Sequence, residues 1–73
     1  MRLQVETESG AVWDIDLDTK EFYRSGPESP VKNAYVDLEI HHLVLGEPAH
    51  FKSITPGNGN IYTTEVVGIW LYS

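Results

Sequence analysis

From Arg2 to Thr7 the chain alternates, with Leu3, Val5 and Thr7 on one side and polar residues on the other. A period of two predicts a strand. Ala11, Trp13, Ile15 and Leu17 repeat the pattern after Glu8-Ser9-Gly10. Read as a three-residue hairpin loop, that link places Gly10 at the left-handed position such loops require. The register follows: Thr7 faces Ala11, Val5 faces Trp13 and Leu3 faces Ile15. The two apolar faces coincide, which supports the loop independently. On the outer face Arg2 falls opposite Asp16 and Gln4 opposite Asp14. Asp18-Thr19-Lys20 reads as a turn and Glu21 to Arg24 as a third strand. Ser25 to Asn33 is expected to be a long loop, because Pro27 and Pro30 cannot donate to a ladder.

Ala34 to Gly46 is expected to be one long strand, bent or bulged at His41-His42. The competing helix, with Leu38, His41, His42 and Leu45 on one face, is disfavoured by the β-branched content. Gly46-Glu47-Pro48 turns the chain into a fifth strand, Ala49 to Thr55, with Leu45 expected near Ala49 and Leu43 near Phe51. Pro56 to Asn60 is a hairpin loop, and Ile61 to Tyr72 the last strand. The expectation is an all-β single domain over residues 1–73. It is a small antiparallel barrel or tight sandwich of about six strands, SH3-like in size, with no major helix.

The last strand changes character along its length. Up to Glu65 its two sides differ; from Val66 to Tyr72, "VVGIWLY", both are apolar. A strand apolar on both faces must be covered on both. Either it lies inside a closed barrel beneath a folded-over loop, or a second copy covers it. The second option predicts a homo-oligomer whose interface is Val66, Val67, Ile69, Trp70, Leu71 and Tyr72. Gly68 marks a bend or a close backbone approach.

A chain of 73 residues buries only about 60% of its unfolded surface. Such domains usually lean on disulfides, a metal or a partner. There is no cysteine, so disulfides and thiolate-bound zinc are excluded. The same absence fits a reducing compartment. Met1-Arg2 leads directly into a strand, and no window reaches the roughly 18 apolar residues of a membrane span. The expected location is the cytoplasm. Eleven acids against five bases give a net charge of −6, which disfavours contact with nucleic-acid backbones.

Three candidate constellations carry chemistry. Asp14, Asp16 and Asp18 alternate with Ile15 and Leu17. They are read as the solvated face of a strand, because strand carboxylates fan along a line instead of wrapping an ion. His41, His42 and His50 are expected to be partly buried, hydrogen-bonded side chains. His42 and His50 share a side, and no metal is assigned. No serine lies in a nucleophile-elbow pattern, and Ser53 and His50 point to opposite faces of one strand, so no catalytic residue is assigned. An anionic small ligand would be received by Arg24, Lys32, Tyr35, His41 and Lys52. No cofactor is implied.

"SGAVWDIDLD" (Ser9 to Asp18) together with "TTEVVGIWL" (Thr63 to Leu71) resembles a loose group of short β proteins encoded by actinobacteria and their phages. In that group an N-terminal hairpin is closed by a C-terminal strand. The resemblance implies a phage or prophage accessory protein acting in the host cytoplasm. Combined with the tail, it makes the expected function a non-enzymatic binding module. Such a module self-associates and takes a host protein or small ligand, as in counter-defence. A virion assembly component and an acidic mimic of DNA (Glu6, Glu8, Asp14, Asp16 and Asp18) are the alternatives.

Overall fold

The computed structural model describes residues 1–26, 29–35, 38–54 and 59–72, with the backbone alone for 29–34. Seven strands run in chain order: β1 (Arg2–Thr7), β2 (Val12–Asp16), β3 (Glu21–Gly26), β4 (Ser29–Tyr35), β5 (Leu38–His42), β6 (Pro48–Ser53) and β7 (Asn60–Tyr72). All pairings are antiparallel, in the order β4-β3-β2-β1-β7-β6-β5, and no helix occurs among the described residues.

The sheet curls into a half-barrel. Phe22 on β3 and Phe51 on β6 lie four strand steps apart, about 19 Å on a flat sheet. Their ring centroids are 5.2 Å apart. Curling brings the alternate residues of distant strands onto one concave face. Leu3, Val5, Trp13, Ile15, Phe22, Leu38, Ala49, Phe51 and Val66 form the core there. Trp13 sits at its centre, edge-on to Phe51 at 5.0 Å and tilted against Tyr35 at 5.6 Å.

The first hairpin has the expected register, Leu3 to Ile15 and Val5 to Trp13, with Arg2 opposite Asp16. Gly10 supplies the positive φ of its loop, at 90°. Elsewhere the structure departs from expectation. Most of the stretch Ser25 to Asn33, read as a loop, belongs to β3 and β4. Pro30 is tolerated because β4 is an edge strand, where one missing donor breaks no ladder on the open side. The expected long strand from Ala34 to Gly46 is divided: β4 ends at Tyr35 and β5 runs only from Leu38 to His42.

The bulge at the histidines is present, as a register shift between Ile40 and His42. It overturns the expected pairing of Leu43 with Phe51 and Leu45 with Ala49. The partners are Ile40 with Phe51 and His42 with His50, because Leu43 to Glu47 leave the ladder as a wider turn around Gly46. The hairpin loop at Pro56 to Asn60 lies mostly outside the described residues.

The central strand β7 contains two irregularities. Between the pairs Tyr62–His50 and Glu65–Pro48 it carries one residue more than β6, and between Val66–Thr7 and Gly68–Glu6 one residue more than β1. Each extra residue shifts the side-chain phase by one.

Candidate functional site

One end of the half-barrel opens into a cleft of about 250 Å³, lined by Thr7, Ser9, Ala11, Trp13, Arg24, Tyr35 and Ile61 to Thr64. The register explains the only charged lining residue among those described. Arg24 is the direct partner of Trp13 across β2–β3, and directly paired residues share a face. Trp13 faces the core, so Arg24 lies on the concave side, one step beyond the buried Phe22. Among the described residues no carboxylate lines the cleft, and none forms an ion pair with Arg24.

The rim is a hydroxyl chain joining the first hairpin loop to β7. The Ser9 amide donates to Thr64 Oγ1 at 3.2 Å, and Thr64 Oγ1 donates to Ser9 Oγ at 3.1 Å. Ser9 Oγ lies 3.2 Å from Thr7 Oγ1, which donates to the Ala11 carbonyl at 3.4 Å. Thr63 Oγ1 accepts from the Ala49 amide at 2.9 Å and donates to the Thr64 carbonyl at 2.7 Å. These hydroxyl protons are committed within the protein, so the rim offers a ligand mainly oxygen lone pairs. Trp13 Nε1 is buried and lacks a hydrogen-bond partner. Leaving such a donor unpaired costs about 1–3 kcal/mol.

Of the expected ligand-binding residues, Arg24 and Tyr35 meet in this cleft. Lys52 is exposed on β6, opposite Glu39 of β5, and does not line it. Lys32 lies on β4, and its side chain is outside the described residues. His41 belongs to a row of rings across β5, β6 and β7. It lies 5.3 Å from His50, which stacks on Tyr62 at 4.4 Å and 9°, and Tyr62 lines the cleft.

His42 is the direct partner of His50, so the two share a side as expected, but the ring contacts and the burial of the histidines differ from expectation. The bulge brings the His41 ring, not that of His42, to His50, while His42 Nε2 lies 3.2 Å from Glu47 Oε1. His50 Nε2 lies 2.9 Å from Asn60 Oδ1. His41 and His42 are exposed and His50 is half-buried, and the described residues contain no group of three metal-ligating side chains.

The carboxylate triplet resolves into local structure. Asp16 Oδ1 accepts the Asp18 amide at 2.9 Å and the Thr19 amide at 3.2 Å, closing the β2–β3 turn. The Thr19 and Asp18 amides lower its pKa, with lesser help from the positive charges of the N-terminus and Arg2. Nearby, Tyr23 donates to Glu21 Oε2 at 2.6 Å, and that bond with the carboxylate's charge raises the phenol's pKa.

The second feature is the end of β7. Val66 leaves the expected interface set, being only 1% exposed in the core of its own chain. Val67, Ile69, Trp70, Leu71 and Tyr72 remain exposed, Leu71 most of all at 64%. The ladder with β6 stops at Glu65, and Gly46 and Glu47 bond the backbone of Val66. Beyond that point β1 pairs one edge of β7, and among the described residues no strand pairs the other. Trp70 folds back over Gly68; a Cβ there would stand 2.3 Å from Trp70 Cη2. Tyr72 donates to Gln4 Oε1 at 2.9 Å.

Compared with known proteins, the chain matches no family model, no curated protein and no solved structure. Sequence reasoning missed Thr7, Ser9, Trp13, Tyr62, Thr63 and Thr64 as cleft residues. Their convergence depends on β7 lying beside β1, a pairing across nearly the whole chain that no local spacing encodes.

Proposed function

We propose that this chain is a non-enzymatic binding module that self-associates through the C-terminal half of β7. Its setting is that of a phage or prophage accessory protein, acting in the host cytoplasm on a host protein or a small ligand. The observation that carries the reading is the open edge of residues 67–72, uncharged and exposed on both faces. An exposed, flat, apolar edge is a template for another strand, and natural proteins normally blunt such an edge with charge, proline or a cover. Here the only interruption is Gly68, and Trp70 covers it.

The occupant is a second copy of the same strand. Antiparallel pairing of two such edges about a twofold axis is self-complementary: it satisfies the unpaired backbone groups and lays Ile69 and Leu71 against their counterparts. It also brings no like charges together, in a protein of net charge −6.

Native mass spectrometry and light scattering on the purified chain test this reading. The wild type is expected to be a dimer, and Leu71→Lys a folded monomer, since Leu71 contributes little to its own chain's core. A ladder of larger species would favour the assembly-component reading instead. A wild-type monomer at high micromolar concentration would reject self-association.

A further inference from the structure

We infer that the cleft beside Arg24 is a binding site for a small, flat organic oxyanion, a carboxylate or phosphate ester. Three observations converge on it. Arg24 is a guanidinium on the concave face of an acidic protein, with no counter-carboxylate among the described residues. A cation held half-buried against the core without a partner is electrostatically incomplete, and a bidentate oxyanion is its natural complement. The buried Trp13 Nε1 is an unsatisfied donor on a residue that lines the same cleft. Apart from the aliphatic Ala11 and Ile61, the rest of the described lining is aromatic or hydroxylic: Trp13, Tyr35 and Tyr62 suit a flat ring, and the threonine and serine oxygens accept from its substituents.

Size bounds the ligand. A volume of about 250 Å³ equals roughly eight waters at about 30 Å³ each. It is below the range typical of drug-sized pockets. The ligand body is therefore on the order of ten heavy atoms, close to a single substituted ring.

The inference deepens the binding-module reading by naming a ligand class and rests on that reading only for the cleft's role, not on self-association. Nitrogen–proton correlation spectra read the site directly. Phenyl phosphate, benzoate and the uncharged benzamide serve as probes. The Trp13 indole N–H and the Arg24 side-chain N–H report the cleft, and Trp70, which does not line it, is the internal reference. One or both anions are expected to give saturable shifts at Trp13 and Arg24 while Trp70 stays still, with benzamide at least tenfold weaker. Phosphate against carboxylate distinguishes the two headgroups. Arg24→Gln is expected to weaken binding tenfold or more with the remaining spectrum unchanged, and Arg24→Lys to recover part of it. No shift at Trp13 and Arg24 with either anion in the low millimolar range overturns the site. So does anion binding that Arg24→Gln leaves intact. Subunit counts on the same samples keep the two readings apart: a monomer that binds the anions rejects assembly alone, and a dimer that ignores them rejects this site alone.

Discussion

Lys20 is the one described residue other than glycine with a positive φ, 61°. Its amide donates to the Asp16 carbonyl at 2.8 Å, which fixes it in the left-handed region. That conformation costs a side chain roughly 1–2 kcal/mol, partly offset in glycine by the greater freedom of its unfolded state. Lys20→Gly should therefore raise stability by about 0.5–1 kcal/mol, seen as a melting temperature a few degrees higher. Asp16 acts in the same turn through its charge. Its carboxyl pKa is lowered in the folded state, so its contribution is complete above the ordinary carboxylate value, about 3.9. It is lost as pH falls through the folded value. Asp16→Asn should flatten the acid limb of the stability curve below about pH 4, measured by urea melts across pH. At Gly68 a methyl group would displace the Trp70 indole. Gly68→Ala is expected to shift Trp70 fluorescence and loosen the dimer while leaving the half-barrel folded.

Among the elements, the first hairpin was wholly legible, because alternation and a glycine at the loop agreed on one register. β4 was not. Two prolines made the stretch look like a loop, and only its place at the sheet's edge, a tertiary fact, removes the objection. The bend at His41-His42 was legible as a break in alternation. Its consequence for register was not, since the width of the following turn depends on Leu43 and Val44 leaving the ladder. The apolar tail was readable as a surface in need of cover. What separates Val66 from its neighbours is a pair of phase shifts visible only in the pairing with β1 and β6. Within the cleft, Arg24 and Tyr35 were named as ligand groups from chemistry alone. The hydroxyls opposite them come from the two ends of the chain.

On the scale of the molecule, four aromatic rings on the concave face hold the curl: Trp13, Phe22, Tyr35 and Phe51. Phe51 is fully buried and touches two of the others. Phe51→Ala should cost about 3–5 kcal/mol. Total stability for 73 residues is on the order of 4–11 kcal/mol, so this variant is expected to be largely unfolded near body temperature by circular dichroism. The net charge of −6 acts at longer range. Two copies repel each other outside the uncharged strand, so added salt should strengthen the dimer, read as a smaller dissociation constant by sedimentation. An acidic mimic of DNA predicts the opposite trend for its partner, so the sign of the salt effect separates the readings.

The paired irregularities of β7 carry a further consequence for how this protein tolerates change. Two added residues restore the inside-outside count, so Ile61 and Leu71 end on the same side although the route between them has been reset twice. Removing Val67 alone would erase the second reset and leave the pairs Gly68–Glu6, Ile69–Val5 and Leu71–Leu3 on their present faces. In that stretch the pairing with β1, rather than the residue count, sets which side chains face inward.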